Sequence, residues 1–362
     1  MEWINILKCI FTGNDLRELT LAEIEKMNEL LAQGKIWQVD GKQIDYKLEK
    51  GLTTVDGSYI YPIIKGVVVL LSDLALVDSF DKVQGELLSD DKKLVKNFYD
   101  DRGWHQEVGQ EYEDAIIFED LRPMSVEYIK NCHARVNRYL NKKGKYMLDG
   151  GSGALQFTDY LQYSENYEYR ICADLSIQGL LECKKKLGDK AICLLCDITN
   201  LPIKENMVDG FISLNTIYHI PKEEQIKAMS ELYRVLITNG KGVIVYDWYK
   251  HSPWMNISLF PFRALEYFKH RILNLFASAS GKAAPAKMLY FHAHNYDHFK
   301  NNMPMPFTLA VWRSISVPFM RFYIHPWLFG KQLLKAIWNY EEKNPSYTGL
   351  NGEYPMFLFE KK

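Results

Sequence analysis

Three carboxylates each close a short apolar run: Tyr146-Met-Leu-Asp149, Arg170-Ile-Cys-Ala-Asp174 and Ala191-Ile-Cys-Leu-Leu-Cys-Asp197. Acids at the ends of buried strands can accept hydrogen bonds from the hydroxyl and amino groups of a ligand lying across a sheet edge. Directly after Asp149 comes Gly150-Gly151-Ser152-Gly153, where missing Cβ atoms let a ligand approach the main chain. Gln156 to Gln162 can continue as a helix whose N-terminal amides face the same ligand. His219, in Asn215-Thr-Ile-Tyr-His219, follows a further apolar run, and its imidazole can take a proton near neutral pH. The histidine has a bland alternative, capping the next helix or bonding a backbone carbonyl.

The elements that must position these groups are legible. Met207 to Asn215 and Lys241 to Asp247 read as fourth and fifth strands. Between them, Lys222 to Leu236 carries Ile226, Met229, Leu232, Tyr233 and Leu236 at helical spacing. Strands alternating with helices predict a parallel sheet covered on both faces, with ligands bound outside the carboxyl ends of the strands. The fold class expected is α/β: a doubly wound, Rossmann-like seven-stranded sheet, with a small strand-rich N-terminal domain and a helical, aromatic insertion after the fifth strand.

With these residues in place, roughly 145–250 resembles the class I S-adenosylmethionine-dependent methyltransferases, of the type found in menaquinone and ubiquinone biosynthesis. The stretches Asp197 to Asp209 and Glu231 to Gly240 match that family's strand connections. The resemblance implies that S-adenosylmethionine is the cofactor. It implies that Asp149, Gly151 and Gly153 hold its methionine end and that Asp174 accepts both ribose hydroxyls. Asp197 would face the adenine amino group with Ile198 against the ring, and Leu214 and Asn215 would border the sulfonium. Gly150 and Leu175 belong to the same cofactor-binding set. One departure stands out: the family often has a third glycine where this chain has Leu155, so the turn into the first helix must differ. A nicotinamide dehydrogenase shares the glycine turn but explains neither Asp197 nor Leu155. A decayed, non-binding fold is the remaining alternative.

The chain has 362 residues, which suits two domains or one with large additions. Six cysteines without regular spacing fit a reducing compartment, no basic leader precedes the apolar start, and a cytoplasmic location is expected. The longest apolar stretch, Ile60 to Val77, carries Lys65 and Asp73, which excludes a spanning helix there. Residues 1–80 are expected to form a small domain. Thr20 and Glu23 have capping-box spacing for a helix from Leu21 to Ala32, closed by Gly34. Strands are expected at Ile36–Val39, Gln43–Leu48, Gly51–Val55 and Val67–Leu71, with Asp40-Gly41 and Asp56-Gly57 as turns. Asp56 to Leu71 resembles the end of the zinc-ribbon-like activator domain fused to, or partnered with, many methyltransferases. That family holds zinc with paired cysteines. None lies between Cys9 and Cys132, so this copy is expected to be metal-free.

Residues 81–143 read as a helical lead-in, either a lid over the cofactor or packing against the sheet; 144–362 is then the methyltransferase domain, with an insertion at about 251–306. From Lys250 to Lys331 there are ten basic residues and two acidic ones, so this stretch carries about +8 and the rest about −9. Trp254 to Phe276 sets aromatics beside Arg263, Lys269, His270 and Arg271, as either a lid helix or a helix at a membrane surface would. His292, His294, Asp297 and His298 are competent metal ligands, yet methyl transfer from a sulfonium needs no metal, and none is expected. The expected activity is O- or N-methyl transfer to a small-molecule, saccharide or lipid-linked acceptor, with His219 as base and Tyr218 and Asp247 as lesser acceptor contacts. Alternatives are a tRNA or protein methyltransferase, or a non-catalytic cofactor-binding module. The charge balance gives no strong nucleic-acid signal, and the oligomeric state is open.

Overall fold

The computed structural model describes residues 2–79, 86–104, 111–265, 267 and 289–362. The N-terminal part contains β1 (Leu16–Glu18), α1 (Leu21–Ala32), β2 (Trp37–Gln38), β3 (Gly51–Thr54), β4 (Ile60–Ile64), β5 (Val67–Val69) and β6 (Leu76–Val77). The lead-in follows as α2 (Asp90–Phe98), a π-helical turn (Tyr99–Gly103), α3 (Glu113–Phe118) and α4 (Val126–Arg135). Then come β7 (Gly144–Gly150), β8 (Tyr167–Asp174), α5 (Ile177–Leu187), β9 (Ala191–Leu195), β10 (Val208–Leu214), α6 (Gln225–Arg234) and β11 (Leu236–Val245). The chain finishes with α7 (Pro253–Ser258), α8 (Tyr296–Asn302), β12 (Thr308–Arg313), α9 (Val317–Tyr323), α10 (Gly330–Lys343), α11 (Pro345–Asn351) and β13 (Tyr354–Glu360).

The central strands run in the order β9-β8-β7-β10-β11-β13-β12, the first five parallel and the last two joined antiparallel. This is the expected doubly wound, seven-stranded arrangement, and its order reverses between β7 and β10. The reversal opens a crevice at the carboxyl ends of the strands. Buried runs such as Met147-Leu148, Ile171-Cys172-Ala173 and Val243-Ile244-Val245 fill both faces, as a parallel sheet under helices requires.

The sheet does not stop at β9. β5 pairs with it in parallel, Val67 against Cys193 through Val69 against Leu195. β4 and β3 continue outward antiparallel, so the N-terminal strands extend the Rossmann edge.

Local expectations fare unevenly. The Thr20 capping box is present in both directions, and α1 spans Leu21–Ala32 as read. Gln43–Leu48, expected as a strand, forms none. The side-chain amide of Asn28 instead accepts from Leu48 N and donates to Leu48 O, so a loop is satisfied without a ladder. The helix expected from Gln156 is a 3-10 turn, Thr158–Ser164. There the Tyr160 carbonyl accepts from the Arg170 guanidinium. Leu155, in place of the family's third glycine, sits at φ +50°, a conformation a branched residue adopts only when packing holds it, and it is buried. The expected helix Trp254–Phe276 lies only partly in the described residues; Lys269, His270, Arg271 and Phe276 fall outside them. Among the described residues, no helix is long and apolar enough to cross a membrane.

Candidate functional site

β7, β8, β9 and β10 deliver their ends to one cavity. Among its lining residues are Asp149, Gly151, Ser152, Asp174, Leu175, Asp197, Ile198, Leu214, Asn215 and His219. Of the residues expected to bind a cofactor, Gly150 and Gly153 are not in the lining. Gly150 backs onto Leu232 of α6, where a Cβ would come within 2.8 Å of that side chain, and its carbonyl accepts from Ser213 Oγ. Gly153 lies under the Trp104 ring, which an added Cβ would meet at 2.3 Å.

Asp149 is fully enclosed, and Arg170 Nε donates to its Oδ2 at 3.1 Å. The register explains the pair. Asp149 lies opposite Cys172, and Arg170, two residues earlier on β8, shares that face. Burial pushes the Asp149 carboxyl up to about 6, against the opposing pull of Arg170. Asp174 accepts from Gly153 N on one oxygen and from Ser176 N on the other, both at 2.8 Å. Each oxygen keeps a lone pair, which is what two adjacent ribose hydroxyls need. Burial raises this carboxyl to about 6 as well.

Asp197 accepts from Thr199 N at 2.8 Å and from Lys92 Nζ at 2.7 Å. Lys92 comes from α2 and also donates to Thr199 Oγ1 at 3.0 Å and Glu224 Oε2 at 2.5 Å. Nothing in the sequence around Lys92 announces these contacts, because its partners lie more than a hundred residues away. Arg170 did leave a signal: a guanidinium inside a buried strand must find a carboxylate.

At the far end of the cavity, His219 Nδ1 donates to the Tyr290 carbonyl at 2.8 Å. A carbonyl only accepts, so the proton sits on Nδ1 and Nε2 keeps its lone pair. Burial lowers the imidazole pKa to about 4, so the ring is neutral at physiological pH. Asn215 takes a left-handed backbone, φ +55°, and its buried Oδ1 has no hydrogen-bond partner. Gln156 bonds Asp114, and its buried Oε1 is likewise unpartnered. Two buried amide oxygens without donors, Asn215 Oδ1 and Gln156 Oε1, therefore line the cavity, with His219 Nε2 as a further acceptor. Tyr218 and Asp247, the lesser candidates, are not among the lining residues; Asp247 is turned onto Tyr249 N.

The histidine cluster is a stack rather than a ligand set. His294 and His298 lie face to face with ring centroids 3.6 Å apart, and His294 Nε2 is 3.0 Å from the Lys222 carbonyl. Among the described residues, no group of three or more His, Cys, Asp or Glu is placed to hold a metal ion.

Residues 148–244 match the family model described as a methyltransferase domain. Curated relatives include the probable tRNA methyltransferase 9B of human and of cattle, each 26% identical over 135 residues, 36% of this chain. The chain spans 28% of the length of those relatives. Similar solved structures include geranyl diphosphate C-methyltransferase from Streptomyces coelicolor A3(2), 12% identical over 77% of this chain and 100% of that one, TM-score 0.43. Magnesium protoporphyrin IX methyltransferase from Synechocystis PCC 6803 is 17% identical over 45% of this chain and 79% of that one, TM-score 0.34. With the strand order, the acids at the strand ends and the family match in agreement, residues 148–244 are a class I S-adenosylmethionine-dependent methyltransferase domain.

Proposed function

We propose that this chain transfers a methyl group from S-adenosylmethionine to an oxygen or nitrogen of a small-molecule or saccharide acceptor. The observation that carries this reading is the acceptor set lining the cavity: the buried, unpartnered amide oxygens of Asn215 and Gln156, together with His219. Burying acceptors without donors is unfavourable, so this wall suits a ligand that brings hydroxyl or amino protons. In this reading Asp174 takes the ribose, Asp197 and Ile198 the adenine, and the Gly151 turn the methionine end. The sulfonium is an activated donor, so the protein mainly holds the acceptor in line with the S–CH₃ bond, a contribution of roughly 7–11 kcal/mol. His219 Nε2 then accepts the proton that the acceptor atom loses. A base of low pKa serves here as a hydrogen-bond acceptor that takes the proton late.

Incubation with methyl-labelled cofactor and fractionated cell extract tests the proposal: label should enter a small-molecule or saccharide fraction. His219→Ala should lower turnover about 10²–10⁴-fold while cofactor binding persists. The similarity to the probable tRNA methyltransferase 9B supports a second reading, a tRNA acceptor. Label recovered in the tRNA fraction would favour it. Cofactor binding with no label transferred to any fraction would leave a non-catalytic binding module.

A further inference from the structure

We propose that Lys92 is a positioning residue that latches residues 89–104 over the adenine end of the cofactor; the proposal rests on the cofactor reading above. This segment lies outside the matched methyltransferase domain, yet it touches three successive strand ends. At the end of β9, Lys92 binds Asp197 and Thr199, and it reaches on to Glu224 just before α6. At the end of β8, Asp100 accepts from Ser176 Oγ at 2.7 Å and is itself paired with Lys96 at 2.6 Å. Beyond β7, the Trp104 ring covers Gly153 and Gly179, too close for a Cβ at either position. Val95, Lys96, Tyr99 and Trp104 complete one wall of the cavity. A ligand the size of a nucleoside with an amino-acid tail would lie against this wall.

Lys92 is the contact that decides the balance. Its side chain is 8% exposed, and a buried ammonium is tolerated only when its partners are in place. Asp197 and Glu224 both lie within hydrogen-bond reach of the same nitrogen, so without it two carboxylates would face each other across the gap that α2 bridges. Closure is therefore held by a charge on α2 that neutralises two charges on the domain. The lysine also holds Asp197 aimed where the adenine amino group is to be read.

The test is cofactor binding by the full-length chain, measured by calorimetry and by stopped-flow dissociation with S-adenosylmethionine and its demethylated product. Lys92→Met should weaken binding by about 10- to 100-fold, with most of the change in faster release. The discriminating readout is charge rescue. Adding Glu224→Gln to Lys92→Met should recover most of the loss, because only one carboxylate then remains, whereas a packing role for Lys92 would not respond. Asp100→Asn, which loosens the opposite tether, should speed release about threefold or more. It also serves if Lys92→Met fails to fold. Unchanged release in the variants that fold, or a loss that Glu224→Gln leaves untouched, would overturn the latch. If the wild-type chain binds neither compound, the cofactor reading fails instead.

Discussion

The methyltransferase domain carries additions on both sides, and the strand of one and the outer segments of the other treat their apolar residues differently. The N-terminal addition seals the strand it gives to the sheet, while Leu21 and Val55 elsewhere in it are 80% and 70% exposed. Val67, Val68, Val69, Leu70 and Leu71 are all 2% exposed or less, because β5 lies in the sheet beside β9 and both its faces are covered. The addition after β11 leaves large apolar side chains in solvent: Ile257, Phe260, Trp327 and Phe329 are each at least 70% exposed. A strand that joins a parallel sheet must be buried on both faces. A helix laid on the outside needs only one. The strand that the first addition gives to the sheet is thus part of the fold's core, whereas the second leaves four large apolar side chains in solvent.

The largest effect that can break this contrast is Leu70→Ala. It should lower stability by about 2–5 kcal/mol in urea unfolding, as a cavity in a close-packed core does; a change near zero would mean that the N-terminal strands merely lean on the domain. Next comes Asp174→Ala, which leaves both additions intact and should weaken cofactor binding by about 1.5–3 kcal/mol in calorimetry. Its thermal midpoint without cofactor should move far less than that of Leu70→Ala.

Smaller still is a pH effect at His219, whose ring is held by Tyr290 in the second addition. Its folded pKa is lowered from 6.5 to about 4 by burial, so the unfolded chain binds the proton more readily between those values. The stability it contributes is fully present above pH 6.5 and is lost as pH falls toward 4. His219→Gln should therefore lose less stability than the wild type between pH 7 and pH 5, and identical losses would place the ring in contact with water. Last, Ile257→Ser should change stability by no more than about 0.5 kcal/mol, since the side chain is already in solvent. The sequence left two readings open for this region, a lid over the site and a helix at a membrane surface, and for the exposed face we propose the second. Salt-sensitive sedimentation with anionic vesicles, reduced in Ile257→Ser, is then the expected result, and no sedimentation at low salt would reject it.

The sheet and the three acids were legible because each strand is a short apolar run with a carboxylate at its end, a pattern that needs no knowledge of distant residues. The capping box of α1 was legible for the same reason. Gln43–Leu48 misled because its alternation does suit a strand; what defeats it is the Asn28 side chain, twenty residues away, which takes both backbone groups of Leu48. Lys92 was invisible on the same grounds. Its neighbours Asp90, Asp91 and Lys93 describe an ordinary solvated helix, and only the closed fold brings Asp197 and Glu224 to its nitrogen. Leu155 was legible as a departure, and its positive φ shows how the departure was absorbed.

The parallel pairing of β5 with β9 has a consequence for assembly. Two strands on separate molecules meet at a rate set by concentration, and they part on dilution. Here both belong to one polypeptide, so their pairing is intramolecular and its equilibrium does not depend on protein concentration. Diluting the protein a thousandfold leaves that edge of the sheet closed.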